Sequence, residues 1–438
     1  MNIKSPNNRM GNAIQDIVIN NKLGKETGIF SVCSANEFVL KASVNFAKKN
    51  NSVLLIEATS NQVDQYGGYT GLTPKDFANY VNRIAEEFNF PPEKLILGGD
   101  HLGPNRWQNE DENTAMRKAE VQIKDYIEAG FTKIHLDASM PLGNESTNSN
   151  GLLNAETVAF RAARLCETAE RSASVKNIKP VYVIGTDVPI PGGAKEKEDD
   201  IRITSPEELA ETINITREKF YERKLESAWE RVAAVVVQPG VEFSDAQVFD
   251  YERNKATKLV ETISRFDGIA FEAHSTDYQR AENLKEMVKD NFAILKVGPW
   301  LTFALREALF ALELIERELI PSDSLSHLRE TITKVMSDNP EHWVNHYHGS
   351  EIEKKISRIY SYSDRIRYYW TNQKVSESVS KLIRNLSKNR IPLTLLSQFL
   401  PNQYDEIRNG KIAHNIENII YSKIEDVLKI YQYATGGK

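Results

Sequence analysis

The chain has 438 residues and a formal net charge of −6 at pH 7, and 40% of its residues are hydrophobic. This length exceeds one average domain and suits a large barrel with an appended segment. Acidic and basic residues are interspersed, which argues against a nucleic-acid-binding protein, because such a protein needs a basic face to neutralise phosphates.

The sequence also bears on the compartment. Its first residues contain no apolar segment typical of a signal peptide, and no apolar run approaches the roughly 20 residues that cross a bilayer. Cys33 and Cys166 are far apart and outside any CxxC spacing, which excludes a disulfide scaffold. We therefore expect a cytoplasmic protein without membrane contact. Cys33 has no base beside it in sequence and is expected to be a small buried residue, not a nucleophile.

Short apolar segments rich in β-branched residues recur along the chain. There are eight, at residues 28–34, 53–60, 95–101, 133–139, 181–189, 233–240, 269–277 and 293–301. Such runs are typical of parallel strands that are covered on both faces. Helix start signals lie between them: Thr73 and Ser205 each precede a proline, and Ser34 and Glu37 have capping-box spacing. The alternation predicts an α/β fold, a closed (β/α)8 TIM barrel.

After about residue 320 the strand pattern stops and the period becomes helical, in residues 325–336, 351–360, 374–386 and 415–433. We therefore divide the chain into a barrel domain, residues 1–320, and an α-helical C-terminal extension, residues 321–438, packed on the barrel. Residues 358–370 are dense in aromatic and arginine side chains, which suits an interface or a lid over the barrel. The alternative is that these rings only attach the extension to the barrel.

In such barrels the C-terminal ends of the strands form the site. The polar residues at these ends are Cys33, Ser34, Glu57, Asp100, His101, His135, Asp137, Asp187, Gln238, Glu272, His274 and Lys296. Any one of them could belong to a structural network, because a buried charge is costly unless it is paired. Together they favour a ligand pocket.

The pair Asp100-His101 is the most specific feature, because it can place a carboxylate for proton transfer beside an imidazole metal ligand. Glu272 and His274 are two residues apart, so they point to the same side of their strand, and His135 and Asp137 repeat this spacing. Histidines and carboxylates without cysteine suit zinc, manganese or a similar divalent ion. No HExxH or CxxC motif supports a metal, so the sequence leaves metal binding open.

Two glycine pairs, Gly67-Gly68 and Gly192-Gly193, could cradle a phosphate through their backbone amides. Neither belongs to a Walker A or GxGxxG motif. A sugar kinase or a dinucleotide-binding protein therefore has little support.

Several long segments resemble a known family. They are GIFSVCSAN, LLIEATSNQVDQYGGYTG, LILGGDHLGPN, AGFTKIHLDASM, VIGTDVPIPGG, VVQPGVEF, FEAHSTDYQ, LKVGPWLTFALREALFAL and YSYSDRIRYYW. On these motifs the chain closely resembles the GatZ/KbaZ family, the Z components of bacterial D-tagatose-1,6-bisphosphate aldolase.

The resemblance implies a subunit that supports the activity and stability of a separate catalytic Y subunit in a chaperone-like way. The implied pathways are the degradation of galactitol and of N-acetylgalactosamine or galactosamine. Some relatives are instead assigned metal-dependent epimerase activity at C4 of ketohexoses or their 6-phosphates. The expected partners are a class II aldolase Y subunit and a ketohexose phosphate, in an oligomeric assembly.

Class II aldolases carry an Asp-His pair after the third strand and a histidine after the seventh, and Asp100-His101 and His274 are similar to these. Their third metal-binding histidine follows strand six, where this chain has Gln238. The resemblance therefore does not supply a three-histidine zinc site at matching positions. This speaks against class II aldolase chemistry by the isolated chain.

Glu57, Glu272 or Gln238 could replace the missing ligand and give an oxygen-richer site. A C4 epimerase that works by retro-aldol cleavage or proton transfer needs a metal to polarise the ketone and a carboxylate base. The candidate catalytic residues are Asp100 and Glu57. The candidate ligands for zinc, manganese or nickel are His101, His274 and Glu272. The candidate substrate contacts are Ser275, Lys296, Asp137 and Gln238.

Overall fold

The computed structural model describes residues 6–143, 145–147, 153–185, 201–388 and 390–436. In chain order its strands are β1 (Ile29–Val32), β2 (Leu54–Thr59), β3 (Leu95–Leu102), β4 (Lys133–Leu136), β5 (Val181–Gly185), β6 (Val232–Val236), β7 (Glu242–Phe243), β8 (Val248–Phe249), β9 (Ala270–Ala273) and β10 (Phe292–Val297). All except β7 and β8, which form an antiparallel hairpin, pair in parallel and close into a barrel. Each predicted segment overlaps one barrel strand, so the TIM-barrel prediction is confirmed.

Helices alternate with these strands and then continue alone. They are α1 (Pro6–Lys22), α2 (Glu37–Lys49), α3 (Pro74–Glu87), α4 (Glu112–Glu128), α5 (Ala155–Lys176), α6 (Pro206–Glu222), α7 (Glu226–Trp229), α8 (Arg253–Ile263), α9 (Ala281–Lys289), α10 (Pro299–Leu319), α11 (Leu328–Asp338), α12 (Glu351–Tyr360), α13 (Gln373–Ser387), α14 (Leu393–Phe399), α15 (Pro401–Arg408) and α16 (Ile416–Ala434). The four helical segments predicted after residue 320 correspond to α11, α12, α13 and α16.

The helix starts test the capping signals. Thr73 and Ser205 are the N-caps of α3 and α6, and each forms a complete capping box, as predicted. The box predicted from Ser34 and Glu37 is wrong. Asn36 caps α2 instead, because its side-chain oxygen is nearer the helix and accepts from the amides of residues 38 and 39.

The interior of the barrel is apolar at the N-terminal ends of the strands. Ile29, Leu55 and Ile96 lie near the starts of β1, β2 and β3, and Ile14 and Val18 of α1 pack in the same buried cluster. Because α1 packs against four of the strands, it covers this end of the barrel. Polar side chains are therefore confined to the opposite end, as is usual in this fold.

Above the apolar layer, Gly98 makes room for charged side chains. It lies between Glu57 and Lys133 on neighbouring strands. A β-carbon at position 98 would be 2.7 Å from Glu57 Cγ and 3.2 Å from Lys133 Cδ. The close approach of these two long side chains therefore requires a glycine here.

The C-terminal extension shares a continuous buried core with the outer helices of the barrel. Helix α16 packs against α2, α9 and α10. Tyr431 Oη donates to the carbonyl of Thr276 at 2.8 Å, and the amide of Gly28, just before β1, donates to the carbonyl of Thr435 at 3.2 Å. The extension therefore braces the first strand and a loop at the C-terminal end of the barrel.

The aromatic segment 358–370 lies over the C-terminal ends of the strands. The ring of Tyr362 contacts Tyr278, with centroids 4.6 Å apart, and the ring of Tyr368 contacts Tyr69 at 4.7 Å. Tyr278 Oη also donates to the carbonyl of Tyr362 at 2.6 Å. The segment thus attaches the extension and covers the barrel at once. In the part of the chain that the structure describes, no helix combines the length and the apolar character needed to cross a membrane.

The capping box of α3 gives a stability prediction. Thr73 Oγ1 accepts from the amide of Asp76 at 3.3 Å, so Thr73→Ala leaves that amide uncapped. We expect the free energy of unfolding in urea to fall by about 1 kcal/mol. Thr257→Ala is the matched control, because this exposed hydroxyl only bonds a carbonyl of its own helix, and a change within about 0.5 kcal/mol is expected. Equal losses in the two variants would contradict the assignment of the cap.

Candidate functional site

A cleft of about 590 Å³ opens at the C-terminal ends of the strands. Its polar lining comes from the barrel and from the extension. It comprises Cys33, Thr59, Asn61, Gln62, Tyr69, Asp100, His101, His274, Ser275, Asp277, Lys296, Arg367 and Tyr368. The structure therefore places a pocket where the polar residues at the strand ends predict one.

Asp100 and His101 both line the cleft although they are adjacent in sequence. In a regular strand, neighbouring side chains point to opposite faces. The pairing of β3 with β4 shifts register between Gly99 and Leu102, and His101 has a φ of +51°. Ser275, at the end of β9, has a φ of +52°. Left-handed backbone at non-glycine residues is costly and tends to cluster at functional sites, which supports this cleft as the site.

Three imidazole rings meet beside the cleft. The centroids of His101 and His274 are 4.8 Å apart, and His135 lies 5.2 Å from His101 and 5.1 Å from His274. The third imidazole therefore comes from β4, and not from the end of β6, after which Gln238 lies. Comparison with the metal-binding positions of class II aldolases does not predict a third histidine on β4. The only indication of it in the sequence is the two-residue spacing of His135 and Asp137.

Beneath the imidazoles, two lysines hold buried carboxylates. Lys133 Nζ lies 2.6 Å from Glu57 Oε1 and 2.5 Å from Glu272 Oε2, and all three side chains are 0% exposed. Lys296 Nζ lies 3.0 Å from Glu57 Oε2 and 3.2 Å from Glu272 Oε1, and it also pairs with Asp100. Such ions tolerate burial only because each has an opposite charge in contact.

This network fixes the charge of its members. Burial opposes the ionised form of Glu272, but the charges of Lys133 and Lys296 outweigh it and hold its pKa well below the usual range. Burial likewise opposes the ammonium of Lys296, but Asp100, Glu272 and Glu57 outweigh it and raise its pKa well above the usual range. Lys296 is therefore an ammonium at neutral pH, which makes it unsuited to attack a carbonyl as a free amine.

Asp100 and His101 are both poised in charged forms. Burial opposes ionisation of Asp100, but the charges of His101 and Lys296 outweigh it, and its pKa lies well below the usual range. Burial opposes the imidazolium of His101, but Asp100 and Asp137 outweigh it and raise its pKa. His101 Nδ1 lies 2.7 Å from Asp137 Oδ2. Asp100 is thus ionised at neutral pH, and Asp137 orients His101.

The other two imidazoles are held neutral. Burial lowers the pKa of His135 and, more strongly, that of His274, and Lys296 adds to both effects. Neutral imidazole is the form that binds metals. One ligand atom from each of Asp100, His135, Glu272 and His274 can be chosen so that all four lie within 4.8 Å of one another. This set of nitrogen and oxygen donors suits zinc or manganese.

An unpartnered atom supports this fit. His135 Nδ1 lies 3.2 Å from Asp100 Oδ1, and His135 Nε2 is buried without a hydrogen-bond partner among the described residues. In the tautomer that donates its Nδ1 proton to Asp100, Nε2 carries a lone pair. In the other tautomer Nδ1 accepts from the amide of His101, 3.3 Å away, and the proton is on Nε2. A buried polar atom without a partner is rare in proteins and is what a metal ligand looks like before the metal binds.

The predicted site residues differ in position. Ser275 and Lys296 line the cleft with Asp100, as a substrate contact requires. Glu57 lies deeper, enclosed between the two lysines and away from the described lining. Gln238 Oε1 accepts from the amides of residues 240 and 241 at 2.9 and 3.0 Å, so it holds the loop after β6. Asp187 and Gly192-Gly193 lie outside the described residues.

Gly67 and Gly68 do not form a free phosphate cradle. The amide of Gly68 donates to Asp64 Oδ1 at 3.0 Å, and the amide of Gly67 donates to the carbonyl of Asp64 at the same distance. Both amides are therefore occupied by the loop's own hydrogen bonds.

Several lining residues were not among the predicted catalytic, metal-binding or substrate-binding residues, and Arg367, Tyr368 and Cys33 are three of them. Arg367 and Tyr368 reach the cleft from the aromatic segment of the extension, whose composition was their only signal in the sequence. Cys33 also lines the cleft, and burial raises the pKa of its thiol well above the usual range. A neutral thiol is a poor nucleophile, in line with the prediction. The expectation that Cys33 is buried is wrong, because its side chain is half-buried at the cleft.

The closed barrel and the polar cleft at the C-terminal ends of its strands define a (β/α)8-barrel protein with the architecture of enzymes that act on small molecules. The family model described as D-tagatose-1,6-bisphosphate aldolase subunit GatZ/KbaZ-like matches residues 14–436. The chain belongs to this family, as its motifs predict.

Solved structures resemble the chain to different degrees. A protein from Sinorhizobium meliloti 1021, described as a probable tagatose 6 phosphate kinase, is 45% identical, with 93% of this chain and 100% of that chain covered and a TM-score of 0.86. Fructose-bisphosphate aldolase from Campylobacter jejuni is 15% identical, with 86% and 92% covered and a TM-score of 0.47. The YdjI aldolase from Escherichia coli K12 is 11% identical, with 87% and 98% covered and a TM-score of 0.41.

The buried charges give a second stability prediction. Lys133→Met removes the ammonium between Glu57 and Glu272, so we expect the free energy of unfolding to fall by about 3–5 kcal/mol. The control is Lys124→Met, which breaks an exposed pair with Glu128 at 3.8 Å and should change it by less than about 0.5 kcal/mol. Adding Glu57→Gln to Lys133→Met should recover part of the loss, because one buried charge is removed. A Lys133→Met protein as stable as the control would disprove the role of this lysine.

Proposed function

We propose that this chain is a metal-dependent enzyme that epimerises a ketohexose phosphate at C4. The observation that carries the proposal is the meeting of two neutral imidazoles, His135 and His274, with ionised Asp100 at one end of the cleft. The description of the family names tagatose 1,6-bisphosphate, and that of the Sinorhizobium meliloti relative names tagatose 6 phosphate. Tagatose and fructose differ only at C4, so epimerisation there links a tagatose phosphate to a common sugar phosphate.

His135, His274 and Glu272 would hold the divalent cation, which leaves Asp100 free for proton transfer. When bound, the cation would polarise the ketone of the substrate. Inversion at C4 by retro-aldol cleavage begins when the C4 hydroxyl loses its proton. Asp100 would accept that proton and return it when the bond between C3 and C4 forms again on the other face of the aldehyde. Lys296 and His101 would stabilise negative charge on the sugar oxygens.

Asp100→Asn tests the base. We expect kcat for conversion of tagatose 6-phosphate to fructose 6-phosphate to fall about 10²- to 10⁴-fold, because the amide cannot accept the proton. The metal content of the purified protein should change little. Asp111→Asn, at an exposed helix cap, is the matched control and should keep its activity. The proposal is wrong if the purified chain contains no metal and converts no ketose or ketose phosphate after Zn²⁺, Mn²⁺ or Ni²⁺ is added.

His135→Gln tests the metal ligand from β4. The affinity for Zn²⁺ or Mn²⁺, measured by equilibrium dialysis and metal analysis, should fall by about 10- to 100-fold or more. Gln238→Ala is the comparison, because Gln238 was the other candidate for the missing ligand and its oxygen is engaged by backbone amides. It should bind metal like the unchanged protein. The reverse pattern would show that the loop after β6 supplies the ligand.

A second function is favoured by the family description, which is that of an aldolase subunit. In this proposal the chain is the Z component that stabilises and activates a class II tagatose-bisphosphate aldolase Y subunit in galactitol or N-acetylgalactosamine catabolism. Adding the purified chain to a purified Y subunit should increase cleavage of tagatose 1,6-bisphosphate and the half-life of that activity on heating. If neither quantity changes, the chain has no such role. Asp100→Asn should keep this effect, which separates it from epimerisation.

A further inference from the structure

We propose that Arg367, from the C-terminal extension, binds the phosphate monoester of the substrate in the cleft. The identity of the sugar rests on the proposed function, whereas the anion site rests on the geometry of Arg367. The extension would then determine whether the barrel selects a phosphorylated ketose over the free sugar.

Arg367 is a cation without a carboxylate partner. Its Nη1 donates to the carbonyls of Ser363 and Asp364, the latter at 3.2 Å, and its Nη2 donates to Tyr368 Oη at 2.9 Å. Its guanidinium also lies over the ring of Tyr368, 4.5 Å from the centroid. Within the described ranges no carboxylate oxygen lies within 4.0 Å of its nitrogens, and its Nε makes no hydrogen bond.

Lys296, the other permanently charged cation of the cleft, differs in this respect. It contacts three carboxylates, those of Glu57, Asp100 and Glu272, so its charge is already balanced. Asp277 also lines the cleft, but its Oδ1 accepts from the amides of Gly298 and Trp300 at 3.0 and 2.8 Å. Among the described lining residues, Arg367 is therefore a cation with no carboxylate in direct contact. The charge of Asp364 acts on it only from beyond salt-bridge distance, and an anion in the cleft would contact it directly.

The position of Arg367 suits a phosphate. It lines the main cleft together with His101 and His274, and it also lines an adjoining cavity of about 380 Å³. A sugar whose reacting carbons lie at the imidazoles would extend its far end toward the extension. The backbone carbonyls and Tyr368 hold the guanidinium in place before the ligand binds, and a planar guanidinium binds phosphate oxygens in a bidentate manner.

Of the two glycine pairs that could cradle a phosphate, the one within the described residues is not available. The amides of Gly67 and Gly68 are taken by Asp64. Partly buried cations that bond only to neutral acceptors are costly, and an anionic ligand removes that cost. The phosphate group of the substrate is the anion that the proposed function supplies.

The test is a binding measurement by calorimetry on the full chain, with tagatose 6-phosphate, unphosphorylated tagatose and inorganic phosphate as probes. Arg367→Gln should weaken the binding of tagatose 6-phosphate by about 10- to 100-fold and leave that of tagatose within about twofold. Inorganic phosphate should compete with tagatose 6-phosphate in the unchanged protein. Arg367→Lys keeps the charge but not the planar guanidinium, so its affinity for tagatose 6-phosphate should fall less than that of Arg367→Gln. It replaces the glutamine variant in the test if that variant does not fold.

Arg365→Gln is the matched control. It removes the same charge from the same segment, but Arg365 donates to the carbonyl of His342 and is not among the described lining residues. Its affinities for tagatose and for tagatose 6-phosphate should both stay within about twofold of those of the unchanged protein. Equal losses for tagatose and its phosphate, an Arg365→Gln loss equal to that of Arg367→Gln, or no loss at all would each overturn the proposal. Because no turnover is needed, an inactive chain whose phosphate binding depends on Arg367 would disprove epimerisation and keep the anion site.

Discussion

The contact between two buried ammonium groups and three carboxylates is the constraint on which the site depends. Lys133 and Lys296 lie between Glu57, Glu272 and Asp100 in a space closed to water on its lower side by apolar side chains. Removing either lysine leaves carboxylates without a cation in a medium of low dielectric constant, so the burial of these carboxylates depends on both lysines. The same constraint explains the glycine at position 98, since only that residue leaves space for the pairing of Glu57 with Lys133.

The network also divides the titratable groups above it into two kinds. The positive charge of Lys296 favours the carboxylate form of Asp100 and the neutral form of His135 and His274, because all lie close to it in the barrel. His101 is the exception, since the carboxylates of Asp100 and Asp137 favour its charged form. A base, an imidazolium and neutral imidazoles thus coexist at one pH. Such divergent protonation states among neighbours are typical of sites for acid–base chemistry.

Features that depend on interactions between residues close in sequence could be predicted from the sequence. The barrel strands and the caps at Thr73 and Ser205 depend on short stretches of chain, and they were read correctly. The prediction of a capping box at Ser34 is wrong, because Asn36 lies nearer the helix and accepts from its first free amides. The spacing of His135 and Asp137 placed His135 on the same side of its strand as Asp137, but the partners of His135 and Arg367 in the site could not be predicted. Those partners come from strands and helices that meet only when the barrel closes and the extension packs on it.

The bond between the amide of Gly28 and the carbonyl of Thr435 joins residues from distant parts of the chain. During synthesis, strand β1 leaves the ribosome long before α16 does, so this brace cannot form until α16 has been translated. The loop at Thr276 waits for the same helix, through Tyr431. Contacts of such long sequence separation close slowly. The half-finished barrel is therefore the stage at which a nascent chain of this family most needs protection from aggregation.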